Sequence, residues 1–372
     1  MDSRTGTIAS LAFLMAIAAL GLRSVEGEET ERNYVIVCHD AGAGGYQAFP
    51  DICRIRTGEL LCVFYAGFGH VSLPSYGRGG KLPANCPNAG RICLSRSRDN
   101  GKTWSAPTIV VDTPLDDRDP SIVPLPDGTL LCNYFSHKPG PGGRGYQFVH
   151  SALVRSTDDG KTWSDEQVLF DQWACSSPIR ILSDGRLALP LYYLGPGRAK
   201  GLHYGGVSFS TDGGLTWSTP VPIGKDGPFP LDAEPDIVEL PGGKLLAGLR
   251  ASPGGTTAAF SWSKDGGGRT WSTPIAMGFL AQSISFLRTS KGILLMGHRL
   301  PGTSLHYSLD DGKTWQGPVQ LASGAGAYPS MVELPDGTIC CVYYEEGPNS
   351  DIRGMRFSAD KDGIHIIPPS KW

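Results

Sequence analysis

The chain has 372 residues, enough for a large core in one or two domains. Its formal net charge is −3 and no long run of one sign occurs, so composition gives no support for binding nucleic acid or a charged membrane surface. The 50 glycines and 29 prolines are spread along the sequence, as expected of many short strands joined by tight turns rather than of disorder.

At the N-terminus, Arg4 precedes an apolar run from Ile8 to Leu20, after which small and polar residues follow. The run is short for a bilayer span and fits the apolar segment of a signal peptide. Residues 1–27 are therefore expected to be a signal peptide, residues 28–372 a single domain, and the protein secreted or periplasmic. Beyond that segment no membrane association is expected. The apolar stretch Asn33-Tyr34-Val35-Ile36-Val37 reads as a strand that pairs with the end of the chain.

From there two motifs alternate. The first is an apolar strand, a turn carrying glycine, and a second apolar strand; the six turn glycines are Gly58, Gly128, Gly185, Gly243, Gly292 and Gly337. The second is Ser-x-Asp-x-Gly-x-Thr-Trp, at Ser97 to Trp104, Ser156 to Trp163, Ser210 to Trp217 and Ser308 to Trp315. The copy from Ser263 to Trp271 has one extra residue, and a worn copy at Ser358 to Gly363 lacks the Thr-Trp end. Ser and Asp side chains bond nearby backbone N–H groups, Gly permits positive φ, and Trp buries apolar surface, so these boxes are structural turns. Each hairpin followed by a third strand, a box and a fourth strand makes one unit. Six such units predict an all-β, six-bladed propeller of four-stranded antiparallel blades.

Nine cysteines are present. Most sit in apolar strand-like runs and read as buried side chains. Cys53 and Cys62 flank one hairpin, but a disulfide is not assigned. No spacing resembles a zinc site, and the reading includes no metal and no cofactor.

The glycine turn closes one end of each hairpin, so the open ends converge on one face around the central channel. Those ends bring Gln47, Asp51 and His70 from the first unit, and Arg118 and Asp119 from the second. The fourth supplies Glu234, Asp236 and Arg250, the fifth His298 and Arg299, and the sixth Tyr328. Carboxylates, arginines, histidines and a tyrosine gathered at a channel mouth suit the binding of a polar substrate and acid–base chemistry.

The boxes resemble the Asp-boxes of the sialidase superfamily, over about Asn33 to the C-terminus. That resemblance implies a glycan partner, three arginines on a substrate carboxylate, a tyrosine nucleophile with a glutamate partner, and an aspartate acid/base. Glu234-Pro235-Asp236-Ile237-Val238 resembles the segment holding the glutamate, Arg250 falls at the second arginine, and Ala327-Tyr328-Pro329-Ser330 resembles the nucleophile segment. Arg299 is a looser match to the third arginine. Two positions depart from the pattern: Ala48-Phe49-Pro50 stands where the first arginine is expected, and the region of Asn85 and Cys86, where the aspartate is expected, is not acidic. Asp51 and Asp119 are the replacement acids, with Gln47, His70, Arg118, His298 and Asp236 as further substrate contacts. The first reading is an exported glycoside hydrolase that removes a terminal sugar, acidic ones included. A true sialidase with rearranged groups and a non-catalytic sugar-binding propeller are the alternatives. The sequence carries no signal of oligomeric state.

Overall fold

A computed structural model describes residues 32–73, 88–195, 203–228, 231–251, 255, 257–347 and 350–372. The expected signal segment lies outside the described residues, as do most of the Ser72 to Gly90 loop and the Asn85–Cys86 region. The described residues form six antiparallel sheets in chain order, the blades of a propeller. The first is Tyr46–Arg54, Leu60–Gly67, Arg91–Ser97 and Thr108–Val111, and the second is Asp116–Pro124, Leu130–Pro139, Tyr146–Ser156 and Gln167–Phe170. In the third blade the innermost strand is split into Trp173–Ala174 and Arg180–Ile181. Pro178, which has no N–H to donate, sits in the break. The fourth blade begins at Leu231–Glu239, the fifth at Gln282–Arg288 and the sixth at Gly326–Glu333.

Ring closure follows the expectation. Val35–Cys38 pairs antiparallel with Ile352–Asp360, with Val35 opposite Gly354. The C-terminal strand Gly363–Ile367 pairs with the other half of the same strand, from Arg356 to Asp360. The strands Val35–Cys38 and Gly363–Ile367 thus share the outer edge of the sixth blade, and closure covers strand groups that would otherwise be open for pairing.

Both repeats behave as local chemistry dictates. All six turn glycines have positive φ, between 79° and 94°. Each donates its N–H to the carbonyl three residues back, as Gly58 does to Ile55 at 2.9 Å. In the first box, Ser97 Oγ accepts the Gly101 N–H at 2.7 Å and donates to Asp99 Oδ1 at 2.7 Å, while Asp99 accepts the Thr103 N–H at 2.9 Å. The same bonds recur in the boxes at Ser156, Ser210 and Ser308. In the longer box Ser263 Oγ instead accepts the Leu245 N–H, and Asp265 alone collects the turn N–H groups.

The core lies between blades. Ile55, Leu61, Val63 and Ile92 of the first blade meet Ile122, Leu130 and Cys132 of the second, all nearly fully buried, with Trp163 packed against them. Burying each aliphatic side chain contributes roughly 1.5–3 kcal/mol, so the blades hold one another in register. The eight described cysteines are buried. Cys53 lies opposite Leu61 and Cys62 opposite Ile52, so the two thiols point to opposite faces of the sheet.

Candidate active site

One irregularity, repeated around the channel, builds the site. In five blades the innermost strand carries two residues against one on its neighbour, a β-bulge: pairing jumps from Ala48 to Asp51, Arg118 to Ser121, Ala233 to Asp236, Gln282 to Ser285 and Ala327 to Ser330. The first bulged residue in each has positive φ: Phe49 (53°), Asp119 (48°), Glu234 (26°), Ser283 (53°) and Tyr328 (51°). Left-handed backbone is uncommon for side chains of this size, and its recurrence at one place in the fold marks where strain is concentrated. These five residues, with Ser177 of the third blade, line the bottom of the channel.

Above them opens a cavity of about 310 Å³ lined by His70, Arg118, Asp119, Phe135, His137, Tyr146, Tyr192, His203, Asp232, Glu234, Arg250, Arg299, Tyr328 and Tyr344, with Val71 and Leu194. Tyr328 donates its hydroxyl hydrogen bond to Glu234 Oε2 at 3.1 Å. The same carboxylate oxygen is paired with Arg250 Nη1, and Arg250 Nη2 lies 3.4 Å from Asp232 Oδ2. Burial, then the charges of Glu234 and Asp119, holds the Tyr328 phenol well above its usual range. Asp119 is buried, and desolvation raises its carboxyl to about 7, an effect that Arg118 opposes and Glu234 reinforces. Arg299 donates Nε to Gln282 Oε1 at 3.1 Å and makes no ion pair among the described residues.

The place of the missing first arginine is filled from elsewhere. Phe49 stands on the channel floor with its ring 5.0 Å from Tyr328 and 5.4 Å from Tyr344, both edge-on. The Arg118 guanidinium lies over it, 5.0 Å from the ring centre, and also covers Tyr65 and Phe135. Its Nη1 donates to the His70 carbonyl and lies 3.6 Å from Asp116; its Nη2 lies 3.7 Å from Asp119. A third guanidinium therefore reaches the cavity, but two carboxylates already neutralise it. Beside it Tyr46 and Tyr344 donate to Glu346 at 2.9 and 2.7 Å, and Tyr46 also meets His70 Nδ1 at 3.0 Å. Burial and the Arg118 charge lower His70 to about 4, so it is neutral at physiological pH.

Of the residues singled out in the sequence, Tyr328, Glu234, Asp119, Arg250, Arg299, His70 and Arg118 share this cavity. Four others do not. Asp51 accepts the Ile122 N–H at 2.7 Å and the Ser330 hydroxyl at 2.5 Å, tying the first blade to its two neighbours below the cavity. Asp236 is paired with Arg180 and accepts the Ile237 and Phe286 N–H groups. Gln47 is fully buried and donates to the Gly44 carbonyl. His298 bonds His306 at 2.7 Å in a stack with Phe279, away from the channel. The bulge separates the two positions: Asp119, Glu234 and Tyr328, before proline, reach the upper cavity, whereas Asp51 and Asp236, after it, are held by the neighbouring blades.

That rule is itself a sequence signal. Phe49-Pro50-Asp51, Asp119-Pro120-Ser121, Ser177-Pro178, Glu234-Pro235-Asp236 and Tyr328-Pro329-Ser330 form a third repeat, with Ser283-Ile284-Ser285 as its degenerate member. Read this way it separates Asp119 from Asp51 and Glu234 from Asp236. Sequence reasoning also missed Asp232 and His203. Asp232 follows from its place on the same strand as Glu234, whereas nothing local marks His203, whose Nδ1 lies 3.0 Å from the Tyr193 carbonyl.

A family model described as a BNR repeat-like domain matches residues 90–341. A sialidase of Vibrio cholerae is 30% identical over 184 residues, covering 40% of this chain and 23% of that protein. A sialidase of Micromonospora viridifaciens is 27% identical over 337 residues, covering 77% and 49%, and one of Bacteroides fragilis is 26% identical over 331 residues, covering 73% and 56%. The chain thus spans from about a quarter to about half the length of these curated relatives. Among solved structures, a Dyadobacter fermentans protein of unknown function aligns with a TM-score of 0.72 at 21% identity, over 91% of this chain and 99% of that one. An intramolecular trans-sialidase of Ruminococcus gnavus aligns with a TM-score of 0.64 at 16% identity, over 89% and 98%. At these identities the structural likeness carries the fold.

Proposed function

The chain belongs to the BNR-repeat family of sialidase-superfamily propellers, and on that premise we propose that it is an exported glycoside hydrolase that removes a terminal acidic sugar from a glycan. The observation that carries the proposal is the 3.1 Å bond from the Tyr328 hydroxyl to Glu234, beside Arg250 and a buried Asp119. Tyr328 is uncharged, so an anionic substrate does not repel it as it would a carboxylate nucleophile.

In the proposed reaction Glu234 takes the Tyr328 proton as the phenol oxygen attacks the anomeric carbon. Asp119, protonated up to about pH 7, gives its proton to the departing glycosidic oxygen. A glycosyl–tyrosine bond forms as the glycosidic bond breaks. Water, losing a proton to the Asp119 carboxylate, then attacks the same carbon; the tyrosine oxygen leaves and recovers its proton from Glu234. Two displacements give net retention of configuration. Arg299, which makes no ion pair among the described residues, holds the anionic substituent, while Arg250, paired with Glu234 and Asp232, keeps Glu234 in place beside Tyr328. Arg118, already neutralised by Asp116 and Asp119, shapes the aromatic wall instead.

A panel of 4-nitrophenyl and methylumbelliferyl glycosides of sialic, uronic and neutral sugars tests the reading. Turnover of an acidic member, abolished in Tyr328→Phe, supports it. Turnover confined to neutral sugars, or binding without turnover across the panel, overturns it. Export through the segment from Arg4 to Leu20 belongs to the same proposal; N-terminal sequencing tests it, and a mature protein that begins at Met1 in the cytoplasm would refute it.

A further inference from the structure

The second blade is built differently at the mouth. Its middle strands, Leu130–Pro139 and Tyr146–Ser156, are 10 and 11 residues long and stay paired out to Pro139 opposite Tyr146. The corresponding strands of the first blade have 8 and 7 residues. Because Leu130 lies at the glycine-turn end, the extra length projects above the channel mouth. At its end Tyr146 is 48% exposed and stacks on His137, with ring centres 4.6 Å apart and planes 30° apart. Burial keeps His137 neutral, so the pair presents a flat, uncharged face.

A second cavity, about 380 Å³, lies beside this platform between the second and third blades, lined by Gln147, Phe148, Asp171, Gln172, Leu194 and Gly195. Leu194 lines both this groove and the channel cavity. Phe148 packs on Phe135 of the channel cavity at 6.1 Å, so one thin wall separates the two spaces. The groove's exposed polar groups are two amides and a carboxylate, with Gln172 Oε1 held by the Tyr193 hydroxyl at 3.4 Å. None of its described lining residues is basic, whereas three arginines line the channel cavity.

Together these features suit a chain of neutral sugar rings: an aromatic face for the apolar side of a pyranose, amides and a carboxylate for its hydroxyls, and a negative charge that disfavours an anion. The geometry points to a binding site for neutral oligosaccharide, formed by Tyr146, Phe148, Gln147, Asp171 and Gln172, which receives the leaving-group side of the glycan whose terminal sugar enters the channel. This rests on the hydrolase reading for its role in turnover, but the site itself is testable without it.

Labelled full-length protein is applied to an array of immobilised neutral and acidic oligosaccharides. The expected result is retention of neutral oligosaccharides of two or more units by the wild type, falling at least tenfold in both Tyr146→Ala and Gln172→Ala while circular dichroism and Tm stay native. No neutral-oligosaccharide signal, signal confined to acidic glycans, or signal that survives both substitutions overturns the inference. Failure of the hydrolase reading looks different: no acidic glycoside is cleaved, yet the neutral-glycan signal and its dependence on Tyr146 and Gln172 persist.

Discussion

Tyr328→Phe separates chemistry from architecture at one atom. The substitution removes the hydroxyl and its 3.1 Å bond to Glu234 but keeps the ring that packs edge-on against Phe49 at 5.0 Å. Glu234 retains Arg250 as partner, so no buried charge is left alone. The stability cost is therefore that of one hydrogen bond, about 1 kcal/mol, a Tm shift of about 2–4 °C. Tyr328→Ala would instead lose the buried ring, at about 3–5 kcal/mol, and confuse misfolding with inactivity. Removal of a nucleophile that acts with its base should lower kcat at least ~10³-fold, about 4 kcal/mol of transition-state stabilisation. Because Tyr328 and Glu234 work as a unit, the double variant Tyr328→Phe/Glu234→Gln should be no slower than the worse single variant. The assay is kcat on an acidic aryl glycoside together with Tm for all four proteins. Retention of more than a tenth of wild-type kcat by natively folded Tyr328→Phe, or losses that multiply in the double variant, would refute the reasoning.

Asp119→Asn should lower turnover ~10²–10⁴-fold on alkyl glycosides, and far less on 4-nitrophenyl glycosides, whose leaving group needs no proton; equal losses on both would remove Asp119 as the acid. Wild-type kcat/KM on alkyl glycosides should decline above about pH 7 as Asp119 loses its proton; a profile flat to pH 9 contradicts this. Asp51→Ala should act on the fold, costing about 2–6 kcal/mol because the Ile122 N–H and the Ser330 hydroxyl each lose their acceptor; an inactive variant of native Tm would return Asp51 to the chemistry. Desolvation raises Asp51 to about 6 and Asp117 and Asp119 to about 7, above their unfolded values near 4. Their contribution is thus full below about pH 4 and is lost as pH rises from there through the folded values of about 6 to 7. Burial lowers His70, His298 and His306 to about 4 and His137 well below its usual value, so these four gain stability as pH rises through about 6.5 and offset the carboxylates over the same range. Trp163→Ala should destabilise by about 3 kcal/mol, the low end for a large aromatic because the ring is half-buried, with turnover per folded molecule unchanged; lost turnover at native Tm would contradict a structural role for the boxes.

The propeller was legible because its repeats are local. A box serine and aspartate bond backbone groups within four residues, and a turn glycine bonds three residues back, so each motif carries its own geometry wherever it stands. Six copies in order then leave ring closure as the natural topology, and the apolar run near Asn33 supplies the closing strand. The site was half legible. Tyr328, Glu234 and Arg250 stood out by resemblance, and the x-Pro repeat also marks the channel residues, because the bulge that proline accompanies is again a local feature.

Tertiary structure decided what each remaining polar residue faces. Asp51 is held by Ser330, 279 positions away in sequence, and Asp236 by Phe286, 50 positions away. Arg118 leaves the second blade to cover Phe49 of the first, filling the region of an arginine the sequence lacks. His298 turns from the mouth because His306 and Phe279 receive it within its own part of the ring, and Asp232 and His203 join the cavity from the fourth and third blades. A strand's alternation says that a side chain points to one face or the other. Whether that face is channel, solvent or the next blade depends on where a bulge shifts the register and on what the neighbouring blade presents there, and the free energy of burying a charge selects the partner only after the ring has closed.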